Sequence, residues 1–481
     1  MKQTEKAPVV TTTIDTRLGR ITGIDHQDAM TFLGIRYGKP PTRSRRFLPP
    51  EASGAWSGTY DATFLHNQAI QVVHHTFYHE TQREEMGALD EDCLFLNVFT
   101  PAADGRRRPV MVWIHGGGYV EGSANEYNGI RLATQGDIVV VAINYRVGAF
   151  GFFDLSALGA DYKGSANNGV RDMILALEWV RDNISDYGGD PDCVTIFGES
   201  AGGEAVLLLL GAPEAEGKFH RVIAHSPGGG LADPKKRSLK DLCRHFAKEE
   251  ALSSNGLLDY LLEMRADDLL KVTRTGPSID GVVVTRTAIQ VCREKGSDGV
   301  PIILGTNRDE GTFMSYGNGP GRWTDEIDRK GFELVMTDLM RRNVLGPAEA
   351  AGASGGPVWL YRLDLPSTFL EGSLGATHAA DIPLTFNYPA IGTKCHIFYV
   401  PVSPEAIELG QAWSSTCMQF ARTGDPNGAG YLPDWPVYDT RTRRTMVLDA
   451  PCRVVDDLDA KDERDRDPAI YAAFIRHKEA M

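Results

Sequence analysis

The chain lacks any stretch apolar enough and long enough to cross a bilayer, and its first thirty residues hold no apolar run of the length a secretory leader needs. A membrane partner is therefore not expected. Positive charge is also short: 50 Lys and Arg against 64 Asp and Glu leave a net charge of −14, which argues against nucleic acid as a partner. The compact basic runs, Arg43 to Arg46 and Arg106-Arg107-Arg108, sit beside prolines and read as solvated loops. Cysteine is sparse: seven, odd in number and scattered from 93 to 452, with no C-x-x-C and no Cys/His cluster. That pattern suits neither a disulfide framework nor a zinc site. It fits free thiols in a reducing compartment, so a cytoplasmic protein is expected. Repeats, low-complexity linkers and composition breaks are missing too, and one domain over residues 1–481 is the simplest reading.

What is present is ample core material, with 42% apolar residues, arranged as strands alternating with helices. Alternation over Thr11 to Ile24 predicts a β-hairpin turning near Asp15-Thr16 and Leu18-Gly19. Phe32 to Tyr37 reads as a strand breaking into Lys39-Pro40-Pro41. Cys93 to Phe99, Val110 to Ile114 and Ile138 to Tyr145 read as strands, the last two with the near-continuous apolar character of a sheet covered on both faces. The 3-4 spacing of Val170, Ile174, Leu177 and Val180 predicts a helix from Asn168 to Ile184, capped by Asn167 or Asn168. Val222 to Ala224 and Ile302 to Leu304 are further core strands. The alternation predicts a doubly wound, mostly parallel sheet, whose ligand lies beyond the C-terminal strand ends.

The stretch from Cys193 to Glu204, CVTIFGESAGGE, carries the chemistry. A strand (Val194 to Phe197) runs into Gly198-Glu199-Ser200-Ala201-Gly202 and then into an apolar helical run, Ala205 to Leu210. A G-x-S-x-G at such a corner is a nucleophile elbow, where small neighbours let the chain turn and hold the hydroxyl clear of the sheet. A serine attacks at neutral pH only if an imidazole takes its proton and a carboxylate orients that imidazole. The chain order serine, acid, histidine passes over His115 and the His74, His75, His79 cluster, which reads as a loop or pocket rim with Phe77 and Tyr78 rather than a metal site. Of the histidines after the serine, His220 and His225 border a core strand and His477 lies in a charged C-terminal helix. His378, flanked by small residues in GATHAAD, suits a loop that presents a side chain to a cleft. Asp309 and Glu310 follow the Ile302 strand, and motif logic does not choose between them. Backbone N–H groups of Ala201 and of the Gly116-Gly117-Gly118 turn are the candidate donors to an oxyanion.

These blocks, together with FLGIRYGKPP, EDCLFLNVFTP, VWIHGGGYVEGS, INYRVGAFGFF, NNGVRDMILALEWVRDN and FARTGDPN, resemble the type-B carboxylesterases of the carboxylesterase–cholinesterase family. The resemblance runs nearly end to end. It implies an α/β-hydrolase fold, a large mostly parallel twisted sheet with helices on both faces, and a serine carboxylic-ester hydrolase working through an acyl-enzyme. It implies Ser200 as nucleophile, His378 as general acid/base, and Glu310 rather than Asp309 as the acid. Gly117, Gly118 and Ala201 map to the oxyanion donors, Glu199 and Ser226 to positions that tune the histidine–carboxylate pair, and Arg46 with Glu91 to a structural ion pair. No cofactor or metal is implied; the partner is a small-molecule ester, and a monomer or weak homo-oligomer is expected.

Three departures carry information. The family's usual cysteine partner for Cys93 would fall near Gln68-Ala69, where there is none, as in bacterial intracellular-type members. The tryptophan that cholinesterases place about ten residues before that cysteine, to hold quaternary ammonium, is replaced by Thr81-Gln82-Arg83-Glu84, so cholinesterase selectivity is not expected. The span from Glu310 to His378 is short for the family, which predicts a reduced cap over residues 312–358 and an open pocket for bulky esters. Carbamate or activated-amide cleavage and acyl transfer share the same fold and triad, and a non-catalytic binding module is the remaining alternative.

Overall fold

The computed structural model describes residues 10–72, 86–228, 253–272, 275–317, 326–388 and 396–460. The His74 to His79 cluster, Thr81 to Glu84 and His477 lie outside them.

One twisted sheet organises these residues. Its strands are β1 (Thr11–Thr16), β2 (Gly19–Asp25), β3 (Met30–Arg36), β4 (Phe95–Thr100), β5 (Arg108–Ile114), β6 (Val139–Ile143), β7 (Gly189–Glu199), β8 (Arg221–His225), β9 (Ile302–Asn307), β10 (Val358–Leu363), β11 (Thr445–Leu448) and β12 (Arg453–Val455). They lie in the order β1-β2-β3-β4-β6-β5-β7-β8-β9-β10-β11-β12, with the short segment Thr59–Asp61 pairing β2 at the side. Every pairing from β6 across to β11 is parallel, and antiparallel strands occupy both edges. The predicted opening hairpin is β1–β2, in register from Thr11 opposite Ile24 to Thr16 opposite Gly19.

Period-two alternation explains why the central strands read as unbroken apolar runs. Val110, Val112 and Ile114 of β5, with Val139, Val141 and Ile143 of β6, feed the core on one face. Met111, Trp113, Val140 and Ala142, the residues between them, feed the other. Helices cover both faces. α1 (Asn168–Asn183) lays Val170, Met173, Leu177 and Val180 on the first face. α2 (Ala201–Leu210) follows the elbow, then α3 (Ala288–Lys295), α4 (Glu310–Gly317) and α5 (Glu326–Ala353). α6 (Pro404–Thr423) packs Trp413, Cys417 and Phe420 on the second face.

Two expectations need correction. Neither asparagine side chain caps α1. Asn167 occupies the cap position, but its amide exchanges hydrogen bonds with the Ser278 backbone (2.8 and 3.0 Å), and Asn168 donates to Phe47 O. Both side chains tie distant loops to the helix start instead. The basic runs are not wholly solvated either. Arg108 opens β5 and is buried, its fork held by Asp104 and Asp137. Arg46 is buried, forks onto Glu91 at 2.6 and 2.8 Å, and donates to the carbonyls of Leu261, Leu262 and Met264. A buried guanidinium needs its donors filled, and these carboxylates and carbonyls fill them. Residues 312–358 are mostly α5. Its Val344, Ala348 and Ala351 belong to the central core, while Met340 and Asn343 face the loop after β8.

Candidate active site

Ser200 sits at the corner between β7 and α2 with φ 56° and ψ −123°, a conformation L-residues rarely adopt. The glycines around it are steric necessities. A Cβ on Gly198 would stand 2.6 Å from the backbone of Gly202, and one on Gly202 would collide with Ile114 O at the end of β5. Neighbouring strands hold the corner: Ser200 N donates to His225 O (3.0 Å) and Gly228 N to Ser200 O (3.1 Å). Ser200 is 8% exposed, and its hydroxyl donates to Gly228 O at 3.0 Å rather than to an imidazole.

His378 comes from a loop stitched to the end of β9. Asn307 Nδ2 donates to Thr377 O (2.7 Å), the Thr312 and Thr377 hydroxyls meet at 2.7 Å, and Asp309 accepts from Ala376 N (2.8 Å). Asp309, half-exposed and paired to Arg308, thus fastens the loop. Glu310 is fully buried at the start of α4. Its Oε2 lies 2.6 Å from His378 Nδ1, while its Oε1 accepts from Ser226 Oγ and Asn307 N, each at 2.6 Å. Of the adjacent carboxylates, only Glu310 reaches the imidazole. On the other side of the ring, Nε2 is 3.2 Å from Glu199 Oε1. Burial alone would pull the imidazole down, but the charges of Glu199 and Glu310 and the hydrogen bond to Glu310 outweigh it and raise His378 to about 9.

The glycine turn after β5 closes over this corner. A Cβ on Gly116 would stand 3.1 Å from Ser200 Cβ, and one on Gly117 (φ 104°) would collide with Glu121 O. A Cβ on Gly118 (φ 62°) would meet only Val120 Cγ2, at an ordinary 3.8 Å, so here the positive φ and not a clash favours glycine. Gln71 clamps the turn from behind, accepting from Gly122 N and donating to Gly122 O. Ala201, the residue after the serine, is the first residue of α2.

Other residues around the corner carried no motif. The Phe313 ring of α4 lies tilted 5.9 Å from the His378 ring and edge-on 5.8 Å from Phe398. Met340 of α5 packs against Gly228, and Asn343 donates to Pro227 O. Beneath the site, the Tyr361 hydroxyl donates to Asp381 Oδ2 (2.8 Å) and stands 2.7 Å from His225 Nδ1, all three side chains buried. His225 is thus fixed in the core, and His220 receives Val194 N at its Nδ1.

A serine held at a strand–helix corner over a parallel sheet, next in sequence to a carboxylate that meets an imidazole tethered to a second, buried carboxylate, places the chain among the serine hydrolases of the α/β-hydrolase fold. Comparison with known proteins narrows the class. The profile described as "Carboxylesterase family" matches residues 8–344 and 318–464. The para-nitrobenzyl esterase of Bacillus subtilis is 31% identical over 93% of this chain and 97% of its own. Human carboxylesterase 3 is 30% identical over 92% of this chain and 88% of its own. A carboxylesterase structure from Geobacillus stearothermophilus superposes with a TM-score of 0.78 at 32% identity, over 94% of this chain and 99% of that one. The chain belongs to the carboxylesterase family and is a hydrolase of carboxylic esters. Among the described residues no helix is long and apolar enough to cross a membrane.

Proposed function

We propose that Ser200, His378 and Glu310 are the catalytic triad of a two-step ester hydrolysis. His378 Nε2 takes the Ser200 proton as Oγ bonds to the ester carbonyl carbon. The oxyanion is met by the N–H groups of Gly117, Gly118 and Ala201. His378 then returns the proton to the leaving alkoxide, releasing the alcohol and an acyl-enzyme, and the same groups activate water to release the acid. The observation that carries this reading is the buried Glu310–His378 pair at 2.6 Å, whose imidazole meets Glu199, the residue before the elbow serine, at 3.2 Å. Glu199 and Ser226 act through that pair, one on Nε2 and the other on Glu310 Oε1.

The substrate is inferred to be an ester with a bulky, aromatic alcohol. Phe313 stands beside the imidazole, which protonates the leaving alcohol, so its ring offers a surface on that side. The activity named in the Bacillus subtilis relative, on a para-nitrobenzyl ester, has such an alcohol. Residues 312–358 give a reduced cap, and among the described residues of that span the Phe313 end of α4 and the Met340–Asn343 part of α5 lie toward the site. The chain is proposed to act as one domain over residues 1–481, as a monomer or weak homo-oligomer, in a reducing cytoplasmic compartment where its thiols stay free.

The test is Ser200→Ala with a chromogenic ester and a fluorophosphonate label. Turnover and labelling should both vanish with the fold retained; either persisting at wild-type level overturns the triad. Phe313→Ala should raise KM for a benzyl ester and leave a methyl ester unaffected, and an equal effect on both would refute the alcohol-side assignment.

A further inference from the structure

A cavity of about 170 Å³ lies at the end of the sheet opposite Ser200, outside everything the ester chemistry uses. It opens where β8, β9 and β10 begin, whereas Ser226 and Glu310 follow the far ends of β8 and β9. The six residues of β9 separate the two ends by about 17 Å at 3.3 Å per residue. Its wall is apolar and buried: Leu209 at the end of α2, Ala212 and Phe219 in the loop that follows, Cys292 of α3, Ile302 of β9 and Ala351 of α5. The two cations at its rim are engaged. Lys295 pairs with Glu216 at 3.1 Å, and Arg286 with Glu294 at 2.8 Å.

We propose that this cavity is a second ligand site, taking a small neutral monocyclic aromatic compound. The inner wall offers apolar contact while the charged lining residues, Glu216, Arg286, Lys295 and Asp298, stand at the solvent-facing rim, and an apolar void of about this size holds one benzene ring. With Lys295 and Arg286 paired, Asp298 is the one further charged residue of the lining, so the rim holds no free cation for an anionic head group and no free carboxylate pair for a cationic one, which favours a neutral occupant. The occupant rests against the last turn of α2, the helix whose first residue, Ala201, adjoins Ser200. Nothing in the assignment depends on the role of Ser200.

Cys292 reports on occupancy because its side chain is part of the wall, and burial pushes its thiol up to about 11, so alkylation is slow and runs at alkaline pH. Iodoacetamide labelling of the full-length protein is followed by peptide mass spectrometry, with the half-buried Cys193 as internal reference. Toluene should slow labelling of Cys292 with half-effect in the millimolar range and leave Cys193 unchanged. The same slowing should persist in protein whose ester site is already blocked by a fluorophosphonate. Ala351→Phe, which fills the cavity from α5, should slow Cys292 without ligand and abolish the toluene effect; Ala212→Leu is the second filling variant. A Cys292 rate unaffected by toluene, or protection that disappears when the ester site is blocked, overturns the site. The unmodified protein decides this even if a filling variant does not fold.

Discussion

Removing the charge of Glu199 perturbs the site at its most loaded point. His378 lies between two carboxylates, Glu310 at 2.6 Å and Glu199 at 3.2 Å, and is raised to about 9. A base at that value is mostly protonated at neutral pH, with only about one molecule in a hundred ready to accept a proton at pH 7. An opposite charge within a few Å moves a pKa by about 1 to 3 units. Glu199→Gln keeps the shape and removes that charge, so the acid limb of kcat/KM should fall by about 1 to 2 pH units. Near pH 7 the available base then rises by roughly ten- to fiftyfold. The high-pH plateau should drop, because Glu199 also stabilises the imidazolium formed as Ser200 attacks.

The assay is kcat/KM for a small nitrophenyl ester from pH 5.5 to 10, and its signature is a crossing of the two profiles. An acid limb at the same pH in both proteins refutes the electrostatic argument. Stability supplies an independent sign. A histidine raised in the folded state contributes stability that is fully present below about 6.5 and is lost as pH rises through about 9. The thermal midpoint of the wild type should therefore lose more between those values than that of Glu199→Gln, by calorimetry in matched buffers.

The remaining predictions test the supports. Ser226→Ala removes one of two donors to Glu310 Oε1; steady-state kinetics should show kcat down by about tenfold for a lost buried hydrogen bond of ~1 to 2 kcal/mol, with KM little changed. Asp309→Ala frees Ala376 N and the loop carrying His378, so kcat should fall while Glu310 remains in place, and an unchanged kcat argues against the fastening role. Asp172→Asn leaves Arg146, which is 2% exposed and forked onto Asp172, as an uncompensated buried charge; denaturant unfolding should show a loss of about 3 to 5 kcal/mol.

Wherever one physical constraint governs a stretch, the sequence makes it readable. The elbow is such a place, because only glycine clears Gly202 O from Gly198 and Ile114 O from Gly202. The central strands are another, since apolar residues on both faces of β5 and β6 can mean little but a covered sheet. Asn167 failed as a predicted cap because an asparagine amide bonds equally well to a distant backbone, here Ser278, and local pattern does not record the competitor. Arg108 was hidden for a related reason, since Asp137, which helps permit its burial, is brought close by the fold, and the Arg46–Glu91 pair was legible only through the family resemblance.

The pair Asp309-Glu310 states the limit most sharply. Both are acidic, adjacent and just past β9, so no local property separates them, and resemblance to a family was needed to prefer one. In the fold they take opposite directions. Glu310 begins α4, turns inward and is filled by Ser226, Asn307 and His378, three residues spread from 226 to 378. Asp309 turns to the rim and holds Ala376 N, two residues from the histidine that Glu310 contacts. One carboxylate therefore meets the imidazole and the other fixes the backbone that carries it. Exchanging their identities, as Asp309→Glu with Glu310→Asp, lengthens the outer side chain and shortens the inner one by a methylene, pulling the carboxylate back from Nδ1. Activity should fall while the described fold persists, and Glu310→Asp alone should account for most of the loss in a double-mutant cycle.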